Sequence, residues 1–72
     1  MESTTGLDFQ LQEMAARIRE LRGVTGLSTA EMALRTGVSE AEYVACEFGA
    51  HDLSFAFIYR CAMAFNVNVT DI

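Results

Sequence analysis

Apolar residues recur at Leu7, Leu11, Met14, Ile18 and Leu21, spacings of four and three that line one helix face, while Glu13, Arg17 and Glu20 fall on the others. This predicts a first helix over about 8–22, capped at its start by Thr5 or Asp8 and ended by Gly23 and Gly26. Residues 1–7, with Ser3-Thr4-Thr5-Gly6, read as a flexible N-terminal tail. A second helix starts at a capping box, Ser28 with Glu31 three residues on, and runs Thr29 to Thr36 until Gly37 stops it. Ser39 and Glu42 repeat the box for a third helix over about 40–48, before Gly49. Ser54 opens a fourth over 55–65, with Asn66 as a left-handed terminator, and Thr70 caps the start of a fifth. Only Asn66-Val67-Asn68-Val69 alternates as a strand would, so the chain reads as all-α, a compact four- to five-helix domain over 8–72. Its expected core is Leu11, Ile18, Leu21, Leu27, Met32, Ala33, Val38, Tyr43, Cys46, Ile58, Ala62, Phe65 and Val67, with Met14 and Phe55 at further core positions.

Composition narrows the class. Seventy-two residues make one small domain, which buries only about 60% of the surface its unfolded chain exposes. An apolar content of 51% excludes a disordered chain. No apolar run approaches the ~20 residues of a membrane span and no signal-peptide pattern opens the chain, so a cytoplasmic protein without a membrane partner is expected. Cys46 and Cys61 form no C-x-x-C motif and read as small buried hydrophobes. Together with His51, a surface-loop residue, they lack the fourth ligand and close pairing of a structural zinc site, so no metal or cofactor is expected. No nucleophile has an oriented base and no glycine-rich phosphate loop is present, which argues against an enzyme.

Only Gly37-Val38-Ser39 separates the second helix from the third, and so short a turn makes the two cross steeply. This turn joins a longer pattern: Arg17-Ile18-Arg19-Glu20-Leu21-Arg22, Gly26-Leu27-Ser28, Glu31-Met32-Ala33, Tyr43, Cys46-Glu47-x-Gly49, Ile58, Ala62, Phe65 and Val67. In order and spacing, over about residues 11–72, it resembles the lambda-repressor-like, Cro-type (XRE) helix-turn-helix family. The resemblance implies a DNA-binding domain of a transcriptional regulator, dimeric on a two-fold site, with the third helix in the major groove of duplex DNA. It implies base-facing positions at Glu40, Ala41, Val44 and Ala45 and a phosphate-facing position at Thr29, where the second helix begins. It also implies a buried ion pair between Arg22 and Glu47 that locks the first helix to the third.

Charge changes this picture. Ten acidic residues against five basic ones leave a net charge of −5, and all five basic residues are arginine. Between Gly37 and Leu53 there is no Lys or Arg, but there are Glu40, Glu42, Glu47 and Asp52. Phosphate neutralisation supplies most non-specific affinity, so DNA binding by this domain alone is expected to be weak. The alternative is the same fold used as a protein-interaction or dimerisation module with little or no DNA binding. Phe57, Tyr59 and Met63 on the fourth helix predict an apolar interface, covered by a second copy or an adjoining C-terminal domain. Thr70-Asp71-Ile72 begins a helix without a second turn, the pattern expected of the N-terminal domain of a longer protein.

Overall fold

The computed structural model describes residues 2–49 and 53–72, with side chains from Gln10 onward. Four α-helices follow in order, α1 (Glu2–Thr25), α2 (Thr29–Thr36), α3 (Glu40–Glu47) and α4 (Phe55–Phe65), and a 3-10 turn, η1 (Val69–Asp71), ends the chain. There is no strand among the described residues. At about 1.5 Å per residue, the 24 residues of α1 account for the longest dimension of the molecule, 36 Å.

Local chemistry sets the bounds of α2, α3 and α4. Ser28 Oγ accepts from the Glu31 amide at 3.0 Å, and the Glu31 carboxylate accepts from the Ser28 amide at 2.8 Å, completing the expected capping box. These bonds, with the Ser28 amide contributing most, hold the Glu31 carboxyl below its ordinary pKa. Ser39 and Ser54 accept from the amides of Glu42 and Phe57, both at 3.1 Å. At the other ends α2 and α4 stop by one device. Gly37 (φ 76°) and Asn66 (φ 61°) turn left-handed, and the next amide, of Val38 or Val67, donates back five residues to Ala33 or Ala62. Both valines then pack on the core.

α1 departs from the expected bounds at both ends. It begins at Glu2, so residues 2–7, expected as part of a tail, form its first turns, and Thr5 and Asp8 lie inside the helix rather than at its cap. It continues past Gly23 to Thr25, where Gly26 turns left-handed. The expected fifth helix is the single turn η1, entered through Asn68 rather than Thr70. α3 stops at Glu47, one residue early. The loop residues Ala50, His51 and Asp52 lie outside the described residues.

α2 packs against α3 and α4, α1 crosses both α3 and α4, and η1 closes on α4. Between them lies one core of Ala15, Ile18, Met32, Ala33, Tyr43, Cys46, Leu53, Phe57, Ile58, Cys61, Ala62, Phe65 and Ile72. Leu11, Met14, Leu21, Leu27, Val38 and Val67 pack on its rim, half-buried. Two expectations for α4 are reversed. Phe57 is buried against Tyr43, with ring centroids 5.8 Å apart, while Phe55 is 72% exposed and stacks on Tyr59. The reason is helical geometry: at 3.6 residues per turn, Phe57 and Tyr59 lie about 200° apart and cannot share a face. Phe55, Tyr59 and Met63, four residues apart, do share one.

Candidate nucleic-acid interface

Tyr43, Cys46 and Glu47 turn α3 inward, and the positions between them form the outward face. Glu40 and Ala41 are exposed, Val44 and Ala45 are half-buried, and Phe48 extends the stripe just past the helix end. The acids of the first turn, Glu40 and Glu42, sit where the helix dipole favours negative charge. Thr29, at the start of α2, joins this surface: its hydroxyl donates to Glu40 Oε2 at 2.7 Å. The five residues singled out from the sequence therefore meet on one side of the molecule. That side chain of Thr29 is turned to Glu40, so a phosphate here would meet the first-turn amides of α2.

The opposite end of α3 is held by α1. Arg22 forms a two-pronged pair with Glu47, Nε to Oε2 at 2.5 Å and Nη2 to Oε1 at 3.2 Å, and its Nη1 donates to the Leu27 carbonyl. Glu47 is 1% exposed and takes a third bond, from the Tyr43 hydroxyl at 2.7 Å. The carboxylate keeps the Arg22 guanidinium above its ordinary pKa, and burial first, then the bond to Glu47, raises that of Tyr43. The expected ion pair is thus present, buried on the glutamate side, with 26% of the Arg22 side chain still exposed.

Two neighbours on the same face of α1 have partners that the sequence did not signal. Arg19 donates to the Glu47 carbonyl and lies over the Phe48 ring, 5.2 Å from its centroid, placing a cation at the negative end of α3. Gln12 donates to the Gly49 carbonyl at 3.3 Å. Gly49 is left-handed (φ 74°) and so close to this amide that a Cβ would stand 2.5 Å from it. Gln12, Arg19 and Arg22 are seven and three residues apart, a helical stripe, but only the folded chain brings α3 to it.

The remaining arginines show where the positive charge goes. Arg60 donates to the Thr36 carbonyl at the end of α2, and Arg17 to the Ile72 carbonyl at 2.8 Å. The charge of Arg35 acts instead on the Glu31 carboxyl, on the same helix. Both thiols are core atoms. Burial, followed by Cys46 and Glu47, pushes Cys61 up to about 12, and burial also raises Cys46.

Short capped helices α2 and α3 crossing at a Gly-Val-Ser turn, with α3 clamped at one end and bare along its outer side, define a helix-turn-helix domain. The chain belongs to the lambda-repressor-like helix-turn-helix family: the family described as "Helix-turn-helix domain" matches residues 13–72. A protein of Archaeoglobus fulgidus named as an uncharacterized HTH-type transcriptional regulator is 34% identical over 59 residues, covering 82% of this chain and 84% of the relative. The crystal structure of the restriction-modification controller protein C.AhdI from Aeromonas hydrophila superposes with a TM-score of 0.80 at 27% identity, covering 86% of this chain and 94% of that one. These likenesses favour a DNA-binding regulator over the interaction-only alternative.

Proposed function

We propose that the chain is a non-enzymatic transcriptional regulator of the cytoplasm that binds duplex DNA by laying α3 in the major groove. The observation that carries the reading is the outward stripe of α3. Glu40, Ala41, Val44 and Ala45 stand clear of the core beside the first turn of α2, the placement in which a recognition helix reads base edges while its partner helix meets a phosphate. Two copies pair through α4 and bring two such stripes to a two-fold site, with Phe55, Tyr59 and Met63 as the contact; Phe57, expected there from the sequence, belongs to the core instead.

Charge sets how tightly a single copy holds. The net charge is −5, and the guanidinium groups of Arg17, Arg19, Arg22 and Arg60 are engaged within the fold. Few cations are left free to contact phosphates, so the plot of log affinity against log salt is expected to be shallow, at about −0.9 per phosphate contacted. Fluorescence anisotropy of a labelled duplex across a salt series measures it. Ala45→Lys, which adds a cation to the stripe, is expected to tighten binding to all sequences and steepen the slope by about one. A steep slope for the native chain would contradict the accounting of its arginines. No binding of either protein to any duplex at low salt would remove the DNA-binding reading.

A further inference from the structure

The outward stripe of α3 offers the major groove acceptors and methyl groups but no donors. Glu40–Glu47 contains no Lys, Arg, Asn, Gln, Ser or Thr, and its tyrosine and cysteine are buried. Of the four groove-facing positions, Glu40, Ala41, Val44 and Ala45, Glu40 carries the polar side chain. The Thr29 hydroxyl donates to Glu40 Oε2 at 2.7 Å, which tethers the exposed carboxylate beside the start of α2, and a carboxylate keeps its second oxygen as a further acceptor. Beside it come only methyl groups, those of Ala41, Val44 and Ala45.

Each base meets this surface differently. Guanine shows only acceptors, O6 and N7, against which a carboxylate is repelled and for which α3 has no donor. Adenine couples its N6 donor to the N7 acceptor beside it, a pair suited to an amide rather than a carboxylate. Cytosine presents the N4 donor next to a C5–H, with no acceptor adjacent on the same base. Thymine adds a C5 methyl that packs on alanine and valine.

We propose that, granted the DNA-binding reading above, α3 specifies a pyrimidine step: a cytosine whose N4 donates to Glu40, followed by a thymine whose methyl group packs on Ala41 and Val44. Thr29 acts as a positioning residue, orienting the carboxylate without touching the base. The specificity is acceptor-and-methyl readout, without the arginine–guanine contact that is the commonest in the major groove.

Selection from a randomised duplex pool with the full chain at low salt is expected to enrich cytosine followed by thymine in each half-site. Glu40→Gln, which can pair both N6 and N7, is expected to move the preferred base from cytosine to adenine, with about a tenfold change in their ratio. Thr29→Val is expected to lower the cytosine preference by a larger factor than it lowers total duplex retention, a split that a merely structural role would not produce. Replacing the thymine by deoxyuridine, which lacks only the methyl group, is expected to weaken the native chain more than Val44→Ala. All three substituted positions lie at the surface or half-buried, and unchanged thermal melting by circular dichroism confirms that the variants fold. Enrichment of guanine, or binding without cytosine preference, overturns this assignment and leaves the DNA-binding reading standing. Failure to retain any duplex overturns both.

Discussion

Glu47 carries three hydrogen bonds on two oxygens at a site with 1% exposure. A carboxylate at such depth is tolerable only while Arg22 faces it. Arg22→Met preserves much of the apolar stem but leaves the charge with a single neutral donor, Tyr43. It is expected to cost ~3 kcal/mol, toward the low end for a broken buried pair because Arg22 is partly solvated. Adding Glu47→Gln to that variant should recover part of the loss, since no charge is then buried; urea denaturation of the three proteins measures both effects. This pair was legible in the sequence because its two positions belong to a recognisable pattern. The partners of Arg19 and Gln12 were not: Arg19 lies in the same pattern and Gln12 outside it, and neither shows what it binds until α3 arrives with its C-terminal carbonyls. Phe55 and Phe57 show a different limit: both are large, apolar and only two positions apart, and the angle between them, not their type, decides which one is buried.

At the scale of elements, the best-predicted features are those written in a few consecutive residues. Ser28, Ser39 and Ser54 each accept from an amide three residues ahead, and Gly37-Val38 and Asn66-Val67 each pair a left-handed residue with an apolar anchor. Such signals are local and need no knowledge of the rest of the chain. The start of α1 has none: Ser3-Thr4-Thr5-Gly6 joins three weak helix formers to a glycine, and the apolar rhythm that marked the helix starts only at Leu7. The turn between α2 and α3 sets the angle at which α3 projects, and its Gly37 is left-handed. Gly37→Val forces a β-branched residue to φ 76°, with its Cβ 3.3 Å from the end of Arg60. A loss of about 1–2 kcal/mol is expected. Gly37→Asn, whose side chain tolerates this region, should cost less, and thermal melts of both variants compare them. If valine were accepted as readily as asparagine, the left-handed turn would not be what holds α2 and α3 in register.

For the whole molecule, the distribution of charge and of uncovered apolar surface has to be considered together. The arginines serve mainly as internal fasteners, on the ends of α2 and α3, on Glu47 and on the last carbonyl of the chain. A single copy therefore brings little cationic surface to DNA, and a second copy is the direct way to double its contacts. The proposed contact through α4 would supply the means: Phe55 (72% exposed), Tyr59 (49%) and Met63 (64%) form an exposed apolar stripe among the described residues. A two-fold axis against this stripe would set each side chain opposite its own counterpart or a neighbour, giving a self-complementary contact. Tyr59→Glu places a charge in the middle of the stripe, and twofold symmetry brings two such charges close together. Sedimentation equilibrium is expected to give twice the chain mass for the native protein and the single-chain mass for the variant. DNA affinity should fall with it, since the half-sites of a symmetric operator, about 34 Å apart, then bind independently. Val24→Glu, at an exposed apolar residue on α1 rather than α4, should leave both mass and affinity unchanged. A native protein that stays at single-chain mass, and whose DNA affinity is indifferent to Tyr59→Glu, would show that one copy suffices, and would move the source of affinity back to the first turn of α2 and the stripe on α3.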